Sequence, residues 1–334
     1  MEHFRDVHDK NAMKIATRIH KDKVHVLVDL DGHTESLVTE VMALRPAPIQ
    51  IHYPMRYPGT MGADFVDYAL VDTSITEEDE KDKFTESLIR FQHRPFLVCE
   101  HAHTSSSAKS TTEEKKEEDE ENVTGPTRSS EKLPEGKIVL ACFAQHHKIN
   151  PSFFDMISRV LKKCSNAVLW LLKWTEDGEK NLKQEMTKRG ISADRVVFSD
   201  VVPRAEHLRR CFLADLYIDT VLVSSVSTIC DVLWSGTPAV TVRGQDLARR
   251  TAASALSSVM LEDNICKDLS SYEARILSLV HDPHYLHDMR AKLESNKQKY
   301  KLFDTVDCAR TLEKAYSKVW NKYEWGESPS SVVV

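Results

Sequence analysis

The sequence lacks several patterns that would assign it to common classes of protein. Its 334 residues carry a net charge of −6, whereas nucleic-acid-binding domains usually show a strong basic excess. No apolar run reaches the roughly 18 residues that a transmembrane helix needs, and the charged N-terminus has no apolar signal-peptide core. Neither G-x-x-x-x-G-K-[ST] nor G-x-G-x-x-G occurs, which argues against P-loop ATPases and dehydrogenases. We therefore expect no nucleic-acid partner and no membrane association.

The cysteines and histidines also lack the spacing of a metal site. None of the seven cysteines forms a C-x-x-C pair, and Cys99, Cys142 and Cys230 lie in apolar runs. Such scattered cysteines are typical of reduced thiols in a cytosolic or nuclear protein. The fifteen histidines cluster without the partners of a metal centre. We expect no metal, no cofactor, and a location in the cytoplasm, the nucleus or both.

The amino-terminal part has the periodicity of alternating strands and helices. The pattern predicts strands at 24–30, 47–52, 65–71 and 96–99, with helices at 34–44 and 77–92. Residues 104–136 then contain many Ser, Thr, Glu and Lys residues and almost nothing apolar. Because such a segment buries too little surface to offset its ordering entropy, we predict a mobile, dispensable linker there.

The carboxy-terminal part alternates regularly. Predicted strands lie at 138–143, 167–172, 195–198, 216–218 and 239–242. Predicted helices lie at 151–164, 177–190, 204–213, 227–235, 246–257, 269–281, 283–297 and 304–322. Alternation of this kind, with strands apolar on both faces, indicates an α/β fold with a parallel sheet covered by helices on both sides. We expect domains at 1–103 and 137–322, separated by the linker 104–136 and followed by a tail at 323–334.

Residues 214–242 are the most informative stretch. They predict a buried strand, a hydroxyl-rich loop, a helix and a second buried strand. Ser227 and Thr228 lie where the loop enters the helix, and free backbone N–H groups there favour an anion. Asp231 follows one turn later, within reach of a ribose hydroxyl. The alternative interpretation is an ordinary strand–helix–strand unit in which Ser and Thr serve as helix N-caps.

Other polar residues follow neighbouring predicted strands. Ligands of open parallel sheets bind beyond the carboxyl ends of the strands. Residues in that position are Gln145, Lys148, Val202, Arg204, His207, Arg210, Ser227, Thr228 and Asp231. Several cations beside a helix N-terminus suit a pyrophosphate. The sequence therefore predicts a nucleotide or phosphosugar site at this edge.

Six ordered motifs resemble the catalytic region of the protein O-GlcNAc transferases and, more distantly, the SPINDLY-type O-fucosyltransferases. The motifs are ALRPAPIQ (43–50), DVLWSGTP (231–238), NAVLWLL (166–172), and the patterns at 57–62, 143–151 and 206–215. The resemblance implies a GT-B fold with two Rossmann-like domains facing a cleft. It also implies inverting transfer of N-acetylglucosamine from UDP-GlcNAc to Ser or Thr hydroxyls of proteins.

The resemblance assigns roles to individual residues. Lys148 would stabilise the leaving diphosphate, with Gln145 nearby and with Ser227 and Thr228 binding phosphate. The remaining implied roles are uracil contacts from Val202 and Arg204, stacking by His207, support from Arg210, ribose binding by Asp231, and a sugar-pocket border of Tyr57, Pro58, Gly59 and Thr60.

The chain also departs from the family. It has Val226 where the family has His, Arg204 where it has Lys, and Arg56 where it has Gly. The family's Asp-Phe-Gly-Asn-His-Pro segment and its tetratricopeptide repeats do not occur in this sequence. We therefore expect an incomplete first domain, with UDP binding but weak or absent transfer by this chain alone. The alternatives are a non-catalytic nucleotide-sugar-binding module, a SPINDLY-type O-fucosyltransferase, and a phosphosugar epimerase of the same architecture.

Overall fold

The computed structural model describes residues 3–76, 82–101 and 125–334. Its strands are β1 (Val26–Asp29), β2 (Ile49–His52), β3 (Tyr68–Asp72), β4 (Ser87–Phe91), β5 (Ile138–Cys142), β6 (Ala167–Lys173), β7 (Val196–Asp200), β8 (Leu216–Ile218), β9 (Ala239–Val242), β10 (Ile265–Cys266) and β11 (Val332–Val333). Its α-helices are α1 (Ala12–Lys21), α2 (Ser36–Ala43), α3 (Pro151–Lys163), α4 (Glu176–Lys188), α5 (Arg204–Cys211), α6 (Ser227–Trp234), α7 (Thr251–Ser258), α8 (Leu269–Val280), α9 (Pro283–Asn296) and α10 (Thr305–Glu324). Within the described ranges, no helix combines the length and the apolar character that crossing a bilayer requires.

The first unit comprises Met1–Phe96 and Val306–Val334. Its sheet has the order β1-β2-β3-β4-β11, and all its strand pairs are parallel. The side chains of Ile51, Leu70 and Ile89 are fully buried. Strands buried on both faces are typical of a parallel sheet covered by helices.

The second unit comprises Leu97–Thr305. Its sheet has the order β10-β9-β8-β5-β6-β7 and is also parallel throughout. The ring of Trp170 on β6 is fully buried, and its indole N–H donates to Ser199 Oγ on β7 at 2.8 Å. Side chains at helix starts fix the connections: Asn150 caps α3, and Asp268 with Ser271 forms a capping box on α8.

The predicted α/β architecture is confirmed, with two local errors within residues 77–99. Residues 77–92 were predicted as a helix, but Ser87–Phe91 forms strand β4; residues 77–81 lie outside the described residues. Residues 96–99 were predicted as a strand but form a loop without a strand partner. Strand β4 pairs with β3 and with β11, which is at the other end of the chain. Its identity therefore depends on contacts that local periodicity does not reveal.

The division of the chain also differs from the predicted one. Helix α10 and strand β11 belong to the first unit, whereas the sequence predicted one domain over 137–322 and a tail over 323–334. Of the predicted linker, residues 104–124 lie outside the described residues. Its last part is docked on the second unit: Leu133 is buried, Arg128 Nη2 donates to Asp215 Oδ2 at 2.8 Å, and Ser199 Oγ donates to the Glu131 carbonyl.

Candidate functional site

The carboxyl ends of β5, β7 and β8 lie on one edge of the second sheet. Because all strands of this sheet are parallel, the residues that follow them reach the same edge. Gln145 and Lys148 lie on a short 3-10 turn after β5, Val202 and Arg204 follow β7, and α6 follows β8. The structure thus places the predicted nucleotide-binding residues along one edge.

The loop that leads into α6 is fixed by a buried carboxylate. Asp219 is 1% exposed and accepts hydrogen bonds from the hydroxyls of Ser224, Ser225 and Thr241 at 2.7–2.8 Å. Burial raises the pKa of Asp219, and these donors partly offset that effect. The hydroxyls of Ser224 and Ser225 are therefore structural, and they hold the start of α6 in place.

The N-terminus of α6 is open. Val226 occupies the N-cap position, and no side chain in the described part of the chain caps the first turn. The interpretation of Ser227 and Thr228 as ordinary N-caps is therefore wrong, since both lie inside the helix. Their hydroxyls make no hydrogen bond with any residue that the structure describes. Free N–H groups and two hydroxyls at the positive end of a helix dipole form a site for an anion.

Lys148 adds a cation at the same edge. Its side chain is partly buried, and it forms no ion pair or hydrogen bond within the described ranges. Its charge acts on Cys142, at the end of β5: burial raises the pKa of that thiol to about 12, and Lys148 opposes the rise. An ammonium group with no counter-ion among the described residues is available for a bound phosphate.

His207 and Arg210 form a rigid pair on α5. Arg210 is buried; its Nε donates to His207 Nδ1 at 3.2 Å, and its Nη1 donates to the Asp200 carbonyl at 2.7 Å. The ring of His207 meets Phe143 edge to face, with centroids 4.9 Å apart. Burial, followed by the charge of Arg210, lowers the pKa of His207 to about 4. The imidazole is therefore neutral at pH 7.

Asp231 on α6 has partners that the sequence did not predict. Its Oδ1 accepts from His101 Nε2 at 2.5 Å and lies 3.5 Å from Arg204 Nη2. Arg204 also pairs with Glu100 at 2.6 Å. His101 stacks on Trp234, with ring centroids 5.7 Å apart. His101 was missed because residues 96–101 were predicted to lie in the first domain, whereas the contact of His101 is with Asp231, 130 positions further along the chain.

The predicted sugar-pocket border lies in the first unit. Glu86 holds the turn: Oε2 accepts from Thr60 Oγ1 and Oε1 from the Met61 N–H, both at 2.6 Å. The carbonyl of Tyr57 accepts from His52 Nε2 at 3.0 Å. Pro58 and Gly59 complete the turn. Arg56, one of the departures from the family, is drawn to Asp31 by a 2.6 Å ion pair. The role of this turn at a sugar stays a prediction.

Comparisons with known proteins agree with this fold. A solved O-GlcNAc transferase mutant from Thermobaculum terrenum matches 96% of this chain and 57% of its own, with a TM-score of 0.81 and 24% identity. A probable UDP-N-acetylglucosamine–peptide N-acetylglucosaminyltransferase, SEC, of Arabidopsis thaliana is 32% identical over 98% of this chain. A UDP-N-acetylglucosamine–peptide N-acetylglucosaminyltransferase of Caenorhabditis elegans is 28% identical over 97%. The chain spans about a third of the length of these two relatives: 32% and 36%.

Two parallel α/β units with this match define the fold as that of the GT-B glycosyltransferases. Within that class the model of glycosyl transferase family 41 matches residues 1–124 and 102–312. The chain belongs to glycosyl transferase family 41. The resemblance on which the sequence analysis relied is thereby confirmed.

Proposed function

We propose that this chain binds UDP-GlcNAc and transfers its N-acetylglucosamine, with inversion, to Ser or Thr hydroxyls of proteins. The printed names of its relatives support the donor and the acceptor class. The observation that carries the proposal is the open N-terminus of α6 at the sheet edge that also bears Lys148. A diphosphate leaving group develops negative charge, and preorganised donors of this kind stabilise such charge.

The diphosphate would be held by Lys148, Ser227 and Thr228, with Gln145 on the same turn as Lys148. The amine supplies charge, while the hydroxyls and free N–H groups of α6 supply oriented donors. These groups fit a leaving diphosphate without a metal ion, so metal independence is part of the proposal. A chelator added to the transfer assay tests it, since activity that disappears with the chelator and returns with a divalent cation would contradict it.

The nucleoside would lie against α5 and α6. The neutral, half-buried ring of His207 offers a flat surface for uracil. Arg204 is the first residue of the same helix, and Val202 lies just before that helix. Asp231 has one oxygen engaged by His101 and Arg204. Its other oxygen has no hydrogen-bond partner among the described residues, so it remains available for a ribose hydroxyl.

The seven free cysteines suit a reducing compartment such as the cytosol or nucleus.

A second candidate is nucleotide-sugar binding without transfer. The observation that favours it is Val226, an apolar residue at the open N-cap of α6, where the resembling family has a His. An apolar side chain there offers no polar contact to the sugar or the phosphate. The two candidates share the donor site and differ in turnover.

One experiment separates these possibilities. The chain is titrated by calorimetry with UDP, UDP-GlcNAc and GDP-fucose, and then incubated with each sugar nucleotide and a Ser/Thr peptide. The proposal expects preferential UDP-GlcNAc binding and slow transfer, seen as a peptide mass increase of one N-acetylhexosamine. Binding without a mass increase would establish the second candidate, and transfer from GDP-fucose alone would identify the SPINDLY-type activity. No binding of any nucleotide would overturn both candidates.

A further inference from the structure

Two cysteines lie behind the carboxylate of Asp231. The dithiol cluster consists of Cys99, Cys230, His101 and Asp231, all within the second unit. Cys99 Sγ is 2.6 Å from His101 Nδ1, and His101 Nε2 is 2.5 Å from Asp231 Oδ1. Cys230 lies close enough to Cys99 for each thiol to shift the pKa of the other. A thiol, an imidazole and a carboxylate joined in series, with a second thiol nearby, form an arrangement that activates sulfur.

The charges in the cluster reinforce this arrangement. Burial alone would lower the pKa of His101, but its bonds to Asp231 and Cys99 raise it to about 9. Burial alone would raise the pKa of Cys99, but the interactions with Cys230 and His101 lower it to about 6. By contrast, burial raises the pKa of the core thiols Cys142 and Cys211. Cys99 is therefore a thiolate beside an imidazolium near neutral pH.

We propose that Cys99 and Cys230 are a redox-sensitive pair, which hydrogen peroxide oxidises to a disulfide. The Cys99 thiolate attacks one peroxide oxygen; the S–O bond forms and the O–O bond breaks. The departing hydroxide takes the proton of the His101 imidazolium and leaves as water. The Cys230 sulfur then attacks the sulfenic sulfur of Cys99, so that the S–S bond forms and the S–O bond breaks. That hydroxide leaves as a second water with the Cys230 proton. Two thiols and one peroxide thus yield one disulfide and two waters.

The burial of the two sulfurs limits the size of the oxidants that can reach them. Cys99 and Cys230 are only 1% and 2% exposed, which shields them from large electrophiles. His101 forms part of the wall of a cavity of about 670 Å³ together with Arg204, Trp234 and Phe212. A molecule as small as hydrogen peroxide can approach the cluster from that side. The disulfide would join the segment before His101 to the first turn of α6.

The test measures thiols, so it does not depend on the proposed function. The full chain is treated with hydrogen peroxide, its remaining thiols are alkylated in denaturant, and digests are analysed by mass spectrometry. We expect a Cys99–Cys230 cross-linked peptide that dithiothreitol removes. In Cys230→Ser we expect a dimedone adduct on Cys99 when the oxidised chain is unfolded in denaturant that contains dimedone. Cys142→Ser, which removes another buried thiol, should leave the cross-link unchanged. No cross-link, or cross-links formed equally fast by Cys142 or Cys211, would overturn the proposal.

The role of His101 is tested by rate. His101→Gln should slow the oxidation of Cys99 at pH 7 at least 10-fold. If that variant unfolds, the activation of Cys99 is tested instead by the pH dependence of its oxidation rate in the unaltered chain. Among the described residues, the charged or titratable groups that face the cluster are Asp231, Arg204 and its partner Glu100, while Lys297 lies over the Trp234 ring. We expect the rate of Cys99 oxidation to be independent of pH above pH 7. A rate that continues to increase up to pH 9, as it does for an ordinary thiol, would contradict the activation of Cys99.

Discussion

At the scale of single residues, Lys148 is the most direct test of the donor site. Replacing Lys148 by Ala removes the cation at this edge that has no partner among the described residues. Losing a hydrogen bond between charged groups costs about 1.5–3 kcal/mol, so we expect the dissociation constant of UDP to rise roughly 10- to 150-fold. Isothermal titration calorimetry measures the change.

A matched control for this charge removal is Lys162→Ala. Lys162 is exposed in the last turn of α3, where the chain has returned toward the opposite edge of the sheet. Its replacement should leave the affinity for UDP within about twofold, since it changes net charge equally without touching the site. Equal affinities for Lys148→Ala and the unaltered chain would show that the diphosphate binds elsewhere.

His207 gives a second prediction at this scale. Its pKa in the folded chain, about 4, lies below the ordinary 6.5 because of burial and the Arg210 charge. As the pH falls below 6.5, the unfolded chain gains a proton that the folded chain does not, so stability is lost. His207→Asn keeps an acceptor for Arg210 and does not titrate. Between pH 7 and pH 5 we expect the unaltered chain to lose about 2 kcal/mol more free energy of unfolding than the variant. Urea titrations that show equal losses would contradict the buried, neutral state.

At the scale of elements, the docking of residues 125–136 on the second unit is predicted to depend on Arg128. Its guanidinium donates to Asp215 and to the Lys137 carbonyl, both at 2.8 Å, and is only partly exposed. Arg128→Ala should raise hydrogen exchange across 125–136 and lower the free energy of unfolding by about 1–2 kcal/mol. Arg159→Ala, which breaks an exposed pair with Glu273, should cost less than about 1 kcal/mol. No difference between the two variants would mean that the docking does not depend on Arg128.

An element can be predicted from the sequence when its own residues carry the pattern of that element, and it is missed when distant contacts determine its structure. Strand β6 was predicted correctly because six consecutive apolar residues, 167–172, are buried on both faces of the sheet. Strand β4 contains the buried Arg90, so its charge pattern resembles that of an exposed helix. Its pairing with β11 and the hydrogen bond from the Leu88 N–H to Ser331 Oγ come from the opposite end of the chain. No local pattern in residues 77–92 contains that information.

The same distinction holds for the candidate site. Lys148, Ser227 and Thr228 were predictable because each follows a recognisable strand of a parallel sheet, whose ligands bind at that edge. His101 follows a loop, and its contact with Asp231 joins residues 130 positions apart. Similarly, that Ser224 and Ser225 serve Asp219 rather than a ligand becomes visible only once the buried carboxylate is placed.

At the scale of the whole molecule, the first unit is built from both ends of the chain. Helix α10 buries Ala315 and Val319, and β11 extends the sheet beside β4. Arg94, buried in the first unit, pairs with Asp307 at 3.3 Å. By contrast, all proposed nucleotide-binding residues from Gln145 to Asp231 lie in the second unit. The stability of the first unit and the affinity of the donor site should therefore respond differently to changes at the carboxyl end.

Deletion of residues 306–334 is predicted to separate these two properties. The deletion exposes the apolar surface against which Ala315 and Val319 pack, and it leaves the buried Arg94 without the Asp307 carboxylate, which is costly. Hydrogen exchange of β1 to β4 should become at least 10-fold faster, while calorimetry should show UDP affinity within about threefold of the parent chain. Val306→Ala, at an exposed position of α10, should change neither quantity. Unchanged exchange would contradict the assignment of α10 to the first unit, and a 10-fold loss of UDP affinity would contradict a donor site confined to the second.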